Sequence, residues 1–582
     1  NPTIQPISLK RPYVHPKTVI KTISQEHIKG ARVFLINMPL RESAVPNCAP
    51  NGLALLAARL RLYACNVVIV DLNAYRIKDV ISEARNLKNG RHLSLIEAEG
   101  LLTQTINKYG EPDVVALSGM ITTLRWQEDI TKIIRLILPD VFMVSGNGLA
   151  TEFKAGLFTW IPELDAVAHS EGDFSIVKIV YDSLQIKRNG FERSRLAGKL
   201  EPYYIGEVAG RHRFVYDGGR PDELDEVPLP AFDLLQEDVN GYKILEMYLQ
   251  NEIWGIGANN SSATPFTMKR SINTVSSRGC PYACNFCFRG ATGERNYGVR
   301  SAENFANELK FYHEKYDVDF VGVTNDNFAV KRDRIAALVP VLKPFIKDTG
   351  LRWGTHARLD EAADLKPDGN GNSAFNSPLR VNQMAEAGCV YIGFGAESAD
   401  HQTLTNMGKG GFILANGLVE MNGFKFPRTM VEGIKNTKYA GIHANNTWIR
   451  QYPEETLNQL QTTVAFILWQ QEFYSQFGDD ISSVNRNMFV ATAYPGTALF
   501  SHPIVRDKLH NNFGINYDQS LNPIIDENLH FYVSELDDAD KILHDQKGRI
   551  INYGNLTEEQ FMLVDQYVKE NNISLESRDI IE

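Results

Sequence analysis

Cysteine is scarce, with six in 582 residues. That is too few for the disulfide framework of a secreted scaffold. Long apolar runs are missing as well: no stretch reaches the ~18 consecutive apolar residues of a membrane span. Residues 1–30 are polar and broken by prolines, without the apolar heart of a secretion signal. Positive charge is not in excess either. The formal net charge is −10 and the isoelectric point lies near 5.8, which speaks against a nucleic-acid backbone as the main partner. These absences point to a cytoplasmic globular protein, and 43% hydrophobic with 22% charged residues is ordinary for that class. At this length about three or four domains are expected.

What is present is an alternation of strand-like and helix-like segments beginning at residue 31. Residues 31–39, 66–74, 113–120 and 141–148 read as buried strands, and 52–64 and 125–138 as helices. Apolar strands alternating with helices imply an α/β domain whose parallel sheet is covered on both faces. Ligands of such sheets lie at the carboxyl ends of the strands. The loops there are small: Ser118–Gly119, Ser145–Gly146–Asn147–Gly148 and Glu171–Gly172–Asp173. Short side chains let a large flat ligand approach the backbone; plain tight turns would use the same residues. An N-terminal arm is expected over 1–30, a connector over 201–270, a second β/α series over 271–500 and a polar C-terminal extension over 501–582. The second series reads as a partial β/α (TIM-like) barrel, with chemistry expected at its strand ends. Two polar stretches, 364–380 and 408–433, read as loop insertions on it: lids, partner surfaces or disorder.

The segment richest in chemistry is Ser277-Arg278-Gly279-Cys280-Pro281-Tyr282-Ala283-Cys284-Asn285-Phe286-Cys287-Phe288. Three thiolates this close can hold one metal centre on one loop, and thiolates select iron–sulfur or zinc. Structural zinc takes four ligands, and neither His313 nor His356 has ligand-like spacing. A three-cysteine iron–sulfur cluster leaves one iron open for a small molecule. Cys65 and Cys389 sit among apolar neighbours, as buried hydrophobes do, while Cys48 lies in a loop.

The C-x3-C-x2-C spacing resembles the radical S-adenosylmethionine (radical SAM) superfamily, whose [4Fe–4S] cluster binds the methionyl end of S-adenosylmethionine at its open iron. Phe286 matches the aromatic residue that precedes the last cysteine there and packs near adenine. Longer stretches resemble the cobalamin-binding branch of that superfamily. In the N-terminal half these are 50–74, PDVVALSGMIT (112–122), SGNGLAT (145–151) and LDEVPLPAFDLL (224–235). In the barrel they are VTNDNF (323–328), HARLDE (356–361), MAEAGCVYIGFGAES (384–398), YPEET (452–456) and AYPGTALF (493–500), in family order.

The resemblance implies a doubly wound, Rossmann-like cobalamin domain over 31–200. Its ligand contacts would be Ser118, Gly119, Ser145, Gly146, Asn147, Gly148, Glu171 and Gly172. It implies Cys280, Cys284 and Cys287 as cluster ligands, and Arg358 as partner of the S-adenosylmethionine carboxylate, a task that suits a guanidinium fork. Glu397 and Ser398 would face the ribose or amino group, and Asp326 would be a polar contact near the cluster. No residue is singled out as catalytic acid or base. Two departures stand out. Gly146-Asn147-Gly148-Leu149 occupies the place of the branch's usual Gly-Gly-Pro-His. The Asp-x-His-x-x-Gly pattern that gives cobalt a lower histidine is absent, as is usual in this branch, so cobalamin would bind base-off.

The activity implied is methylation of an unactivated carbon or phosphorus centre of a small molecule, with methylcobalamin as donor and a 5′-deoxyadenosyl radical as hydrogen abstractor. An electron donor such as flavodoxin or ferredoxin is implied as a partner. A radical oxidoreductase or cyclase of the same branch is the alternative, and a non-catalytic cobalamin or iron–sulfur sensor the second. A methylthiotransferase fits poorly, because Cys48 and Cys65 alone cannot supply the second cluster expected in the N-terminal half.

Overall fold

The computed structural model describes residues 20–39, 48–75, 93–201, 203–250, 268–288, 297–367, 372–486, 488–537, 541–570 and 572–573. Most of the arm expected over 1–30 lies outside them. The chain divides into two compact units, the first holding residues 1–248, 290–293 and 523–538 and the second the remainder.

The first unit is built on a seven-stranded sheet. In chain order its strands are β1 (Arg32–Asn37), β2 (Asn66–Asp71), β3 (Val114–Ser118), β4 (Phe142–Gly146), β5 (Ala166–His169), β6 (Tyr204–Val208) and β7 (Arg211–Asp217). Their spatial order is β2-β1-β3-β4-β5-β7-β6, parallel except for β6 against β7. Val33, Phe34, Leu35 and Ile36 of β1 are all buried. Side chains alternate between faces, so both faces must be covered. One cover is the helix Leu124–Ile137, which buries Leu124, Trp126, Ile130 and Ile134 at helical spacing. The expected connector therefore starts too early: 204–217 belongs to this sheet, because Phe214, Val215 and Tyr216 bury their side chains there. The C-terminal extension is also divided. Helix Glu527–Glu535 belongs to the first unit, burying Leu529, Tyr532 and Val533 and pairing His530 with Glu128 at 2.6 Å.

The second unit holds β8 (Ser271–Thr274), β11 (Phe320–Val323), β12 (Arg352–Ala357), β15 (Cys389–Glu397), β18 (His443–Arg450) and β19 (Phe489–Val490). They form one parallel sheet in the order β19-β18-β15-β12-β11-β8. Six parallel strands make an open partial barrel rather than a closed one. The two-residue strands β9 (Ser277–Arg278) and β10 (Gly298–Val299) pair beside the cysteine loop. The two expected loop insertions are largely ordered. In 364–380 the hairpin β13 (Leu365–Pro367)–β14 (Ser373–Phe375) forms, with 368–371 outside the described residues. In 408–433 stand a short helix Gly410–Leu414, the hairpin β16 (Leu418–Met421)–β17 (Phe424–Pro427) and the start of helix Arg428–Tyr439. That helix buries Met430, Val431 and Ile434, an amphipathic spacing masked in the sequence by the glycines before it. No helix among the described residues is long and apolar enough to cross a membrane.

Candidate active site at the cysteine loop

The cysteine loop leaves β9 through Gly279, whose φ of +79° a residue with a side chain would strain to adopt. It is pinned from outside. Asn285 N donates to Met407 O at 2.8 Å, Asn285 Nδ2 to Asn406 O at 2.9 Å, and Leu499 N to Asn285 O at 2.8 Å. Cys284 and Cys287 share a hydrogen bond, which holds the Cys284 thiol well below its ordinary pKa; Lys409 and Arg358 push the same way, against burial. The same bond raises Cys287. Burial raises Cys280, with Arg358 opposing. Arg358, at the end of β12, lies over the Tyr282 ring at 3.9 Å, donates from Nε to Asp360 Oδ1 at 2.9 Å and brings Nη1 to 3.8 Å from Cys284 Sγ. Burial works against its charge, but Asp360 and the Cys284 thiolate keep it protonated.

Soft thiolates beside two cations suit an anionic iron–sulfur cluster. Among the described residues, no three His, Cys, Asp or Glu side chains close round one point as a single ion demands.

Residues 274–467 match the radical SAM superfamily. Those residues form a radical SAM domain. It is 25% identical over 491 residues to an uncharacterized methyltransferase of Pyrococcus horikoshii, covering 83% of this chain and 85% of that protein. To the cytidylyl-2-hydroxyethylphosphonate methyltransferase of Streptomyces wedmorensis it is 23% identical over 413 residues, 65% of this chain and 67% of that protein. Its fold is shared by the cobalamin-dependent S-adenosylmethionine radical enzyme OxsB, solved with aqua-cobalamin and S-adenosylmethionine bound. The TM-score is 0.56 at 14% identity, over 93% of this chain and 66% of that one. The radical SAM methyltransferase TsrM from Kitasatospora setae, solved with cobalamin and a [4Fe–4S] cluster, gives a TM-score of 0.55 at 13% identity, over 94% and 92%.

In this radical SAM domain Glu397 ends β15 with φ +67° and is buried, which raises its pKa to about 7. Asp326 is exposed in the loop after β11 and acts electrostatically on Cys280; Phe286 is half-buried on the cysteine loop. Ser398 differs from expectation. Its hydroxyl is fully buried, 3.2 Å from Thr463 Oγ1, and accepts from Asp400 N at 3.1 Å, so it ties down the chain after β15. Lys409, Tyr282 and Asn285 went unremarked in the sequence. Lys409 was hidden in a supposed insertion, and its proximity in sequence to Glu397 was the available signal.

At the carboxyl edge of the first sheet the expected residues separate into two sets. Asn147 Nδ2 donates to Ser118 Oγ at 3.1 Å and Asn147 Oδ1 caps Gly148 N, making an exposed polar ledge beside half-exposed Met120. A Cβ at Gly146 would make only ordinary contacts, and one at Gly148 would lie 3.3 Å from Met120 Cα. The others are turned inward by their own fold. Ser145 is fully buried and donates to Gln127 Oε1 at 2.6 Å; Gly119 packs on Thr123 and Gln127; Glu171 pairs with Arg220 at 2.6 Å; Gly172 faces Leu56.

Proposed function

We propose that this radical SAM enzyme binds cobalamin at the carboxyl edge of the first sheet and methylates an unactivated carbon or phosphorus centre of a small molecule. The observation that carries the reading is the strand order β2-β1-β3-β4-β5. It puts a topological switch point between β1 and β3, where open α/β sheets take their ligands. The Ser118–Asn147 ledge and the open backbone at Gly146 stand at the ends of β3 and β4, next to it. The methyltransferase names of the relatives support the reaction class.

Cys280, Cys284 and Cys287 would hold the cluster, with Phe286, Asp326, Arg358 and Glu397 bordering S-adenosylmethionine. When bound, these cofactors supply a hydrogen-abstracting radical and cobalamin supplies the methyl group; the protein supplies position and shelter. Arg358 fixes positive charge beside the thiolates, and Tyr282, stacked on it, shields that face from water. The working setting is the cytoplasm, with electrons from a flavodoxin- or ferredoxin-type donor.

The test is anaerobic reconstitution with iron, sulfide and hydroxocobalamin, followed by reductant, S-adenosylmethionine and metabolite pools. Expected are 5′-deoxyadenosine, a product heavier by one methyl group, and loss of both in Cys284→Ala. Protein that cleaves S-adenosylmethionine yet takes up no corrinoid would refute the methylation reading.

A further inference from the structure

The sheet of the first unit ends differently at its two edges. At one edge β6 is interrupted at Gly206, where its register against β7 shifts, and it carries the exposed Glu207. Irregularity and charge on an edge strand keep other chains from pairing with it. At the other edge β2 runs unbroken beside β1 and holds no proline, glycine or lysine, only Val67, Val68, Ile69 and Val70 between Asn66 and Asp71. Asn66 N donates to Ala31 O at 2.8 Å and Leu72 N to Asn37 O at 3.1 Å, so the even-numbered residues bond inward to β1. The backbone groups of Val67 and Ile69 therefore face outward, and among the described residues they meet no hydrogen-bond partner there.

That open edge is the floor of a groove. One wall is helix Leu95–Tyr109, through Leu101, Thr105 and Tyr109, and the other is the segment from Leu234 to Ile244. The charged side chains of the lining are all acidic: Asp71, Glu237 and Asp238. Asp71 is buried and held by Asn37 and Tyr248, and Asp238 accepts from Tyr75. Glu237 is exposed and has no ion-pair partner among the described residues. A folded copy of this chain carries the same recessed edge, so two such floors cannot meet across their walls. A single extended chain fits between them. Its backbone repeats a donor and an acceptor every second residue, about 7 Å apart, which is the spacing of the outward groups of Val67 and Ile69.

We propose that the β2 edge binds an extended, basic peptide segment of a partner polypeptide, added to the sheet as an eighth strand. Main-chain hydrogen bonds to Val67 and Ile69 supply affinity, and the side chains set the choice of sequence. Alternate side chains of the peptide pack toward Leu101 and Leu234 on the two walls, and a lysine or arginine meets Glu237. The site lies wholly within the first unit and does not depend on the cofactor reading above.

The test uses the whole chain and a capped, fluorescently labelled peptide, Lys-Val-Thr-Val-Lys-Val-Thr. Expected are saturable binding below ~1 mM by anisotropy, slower amide exchange over residues 66–72 in the complex, and loss of binding when the peptide is N-methylated throughout. Val67→Pro removes one outward donor at a position where edge strands tolerate proline, and should weaken binding by ~10-fold. Glu237→Lys should reverse the charge preference, so that Glu-Val-Thr-Val-Glu-Val-Thr binds better than the lysine peptide. That exposed substitution decides alone should Val67→Pro fail to fold. No binding to the wild type, or equal binding of the N-methylated peptide, overturns the proposal. So does protection of 66–72 in the free protein, because the edge is then already filled by the chain itself or by a second copy.

Discussion

Asn147 has φ +74° and ψ −158°, a backbone region almost closed to residues other than glycine. Such a conformation costs ~1–3 kcal/mol, and here it falls where the family resemblance leads one to expect a glycine. The side chain recovers part of that cost through its bonds to Ser118 Oγ and Gly148 N, and exposed bonds of this kind contribute about 0.5–1.5 kcal/mol each. Asn147→Gly should therefore stabilise the first unit slightly, by ~1 kcal/mol or less, seen as a higher urea midpoint. If the ledge is a ligand contact, the same variant should take up hydroxocobalamin more weakly. A lower midpoint would show that the asparagine is unstrained and kept for the fold alone.

At the scale of strands and helices, legibility followed how far a segment's pattern depends on its own residues. β1, β3 and β4 announce themselves because nearly every side chain is apolar, as burial on two faces demands. The cysteine loop is equally plain, since its chemistry lies in spacing. The β6–β7 hairpin was missed because Arg211 and His212 make its start look like a linker, and helix Arg428–Tyr439 because glycines precede it. Side-chain direction at strand ends was beyond reach: nothing local says that Gln127, from a neighbouring helix, claims Ser145. Two substitutions separate ligand space from packing. A Cβ at Gly146 meets only Ala168 O at 3.8 Å and Leu117 O at 3.9 Å, so Gly146→Val should leave thermal stability nearly unchanged while removing corrinoid uptake. Gly119→Val drives its side chain into Thr123 and Gln127 and should destabilise by ~1–3 kcal/mol, as overpacking does. Equal stability losses at the two sites would contradict the distinction.

At the scale of the whole molecule, the chain leaves the first unit at Tyr248 and returns to it with 523–538. There Arg125 pairs with Glu535 and Trp160 packs edge-on against His530 at 5.5 Å. A fragment of residues 20–248 should accordingly be poorly soluble, and a 523–538 peptide should restore cooperative unfolding; a stable, soluble fragment alone would refute this. Acidity should act on the second unit from two sides. Burial holds His443 down to about 4 from 6.5, with Lys438 adding to it. Between those values the unfolded chain binds a proton the fold refuses, so stability drops as pH falls. Burial raises Glu455 from 4.5 to about 8, with Asp400 pushing the same way and Arg450 opposing. Here the fold keeps a proton the unfolded chain gives up, so stability drops as pH rises through that window. The two slopes oppose each other below pH 6.5; above it the raised carboxyls act alone, Glu455 up to about 8, with Glu361 and Glu397, which burial raises to about 7, adding to the first part of the range. Denaturant melts should thus show stability declining from pH 6.5 to 8, by ~2 kcal/mol as an order of magnitude. Glu455→Gln keeps the shape and the acceptor for Gln451 N at 2.5 Å while removing the titration. The variant's profile should be flatter over that range, and a wild type already flat, or a variant that keeps the slope, would take Glu455 out of the account.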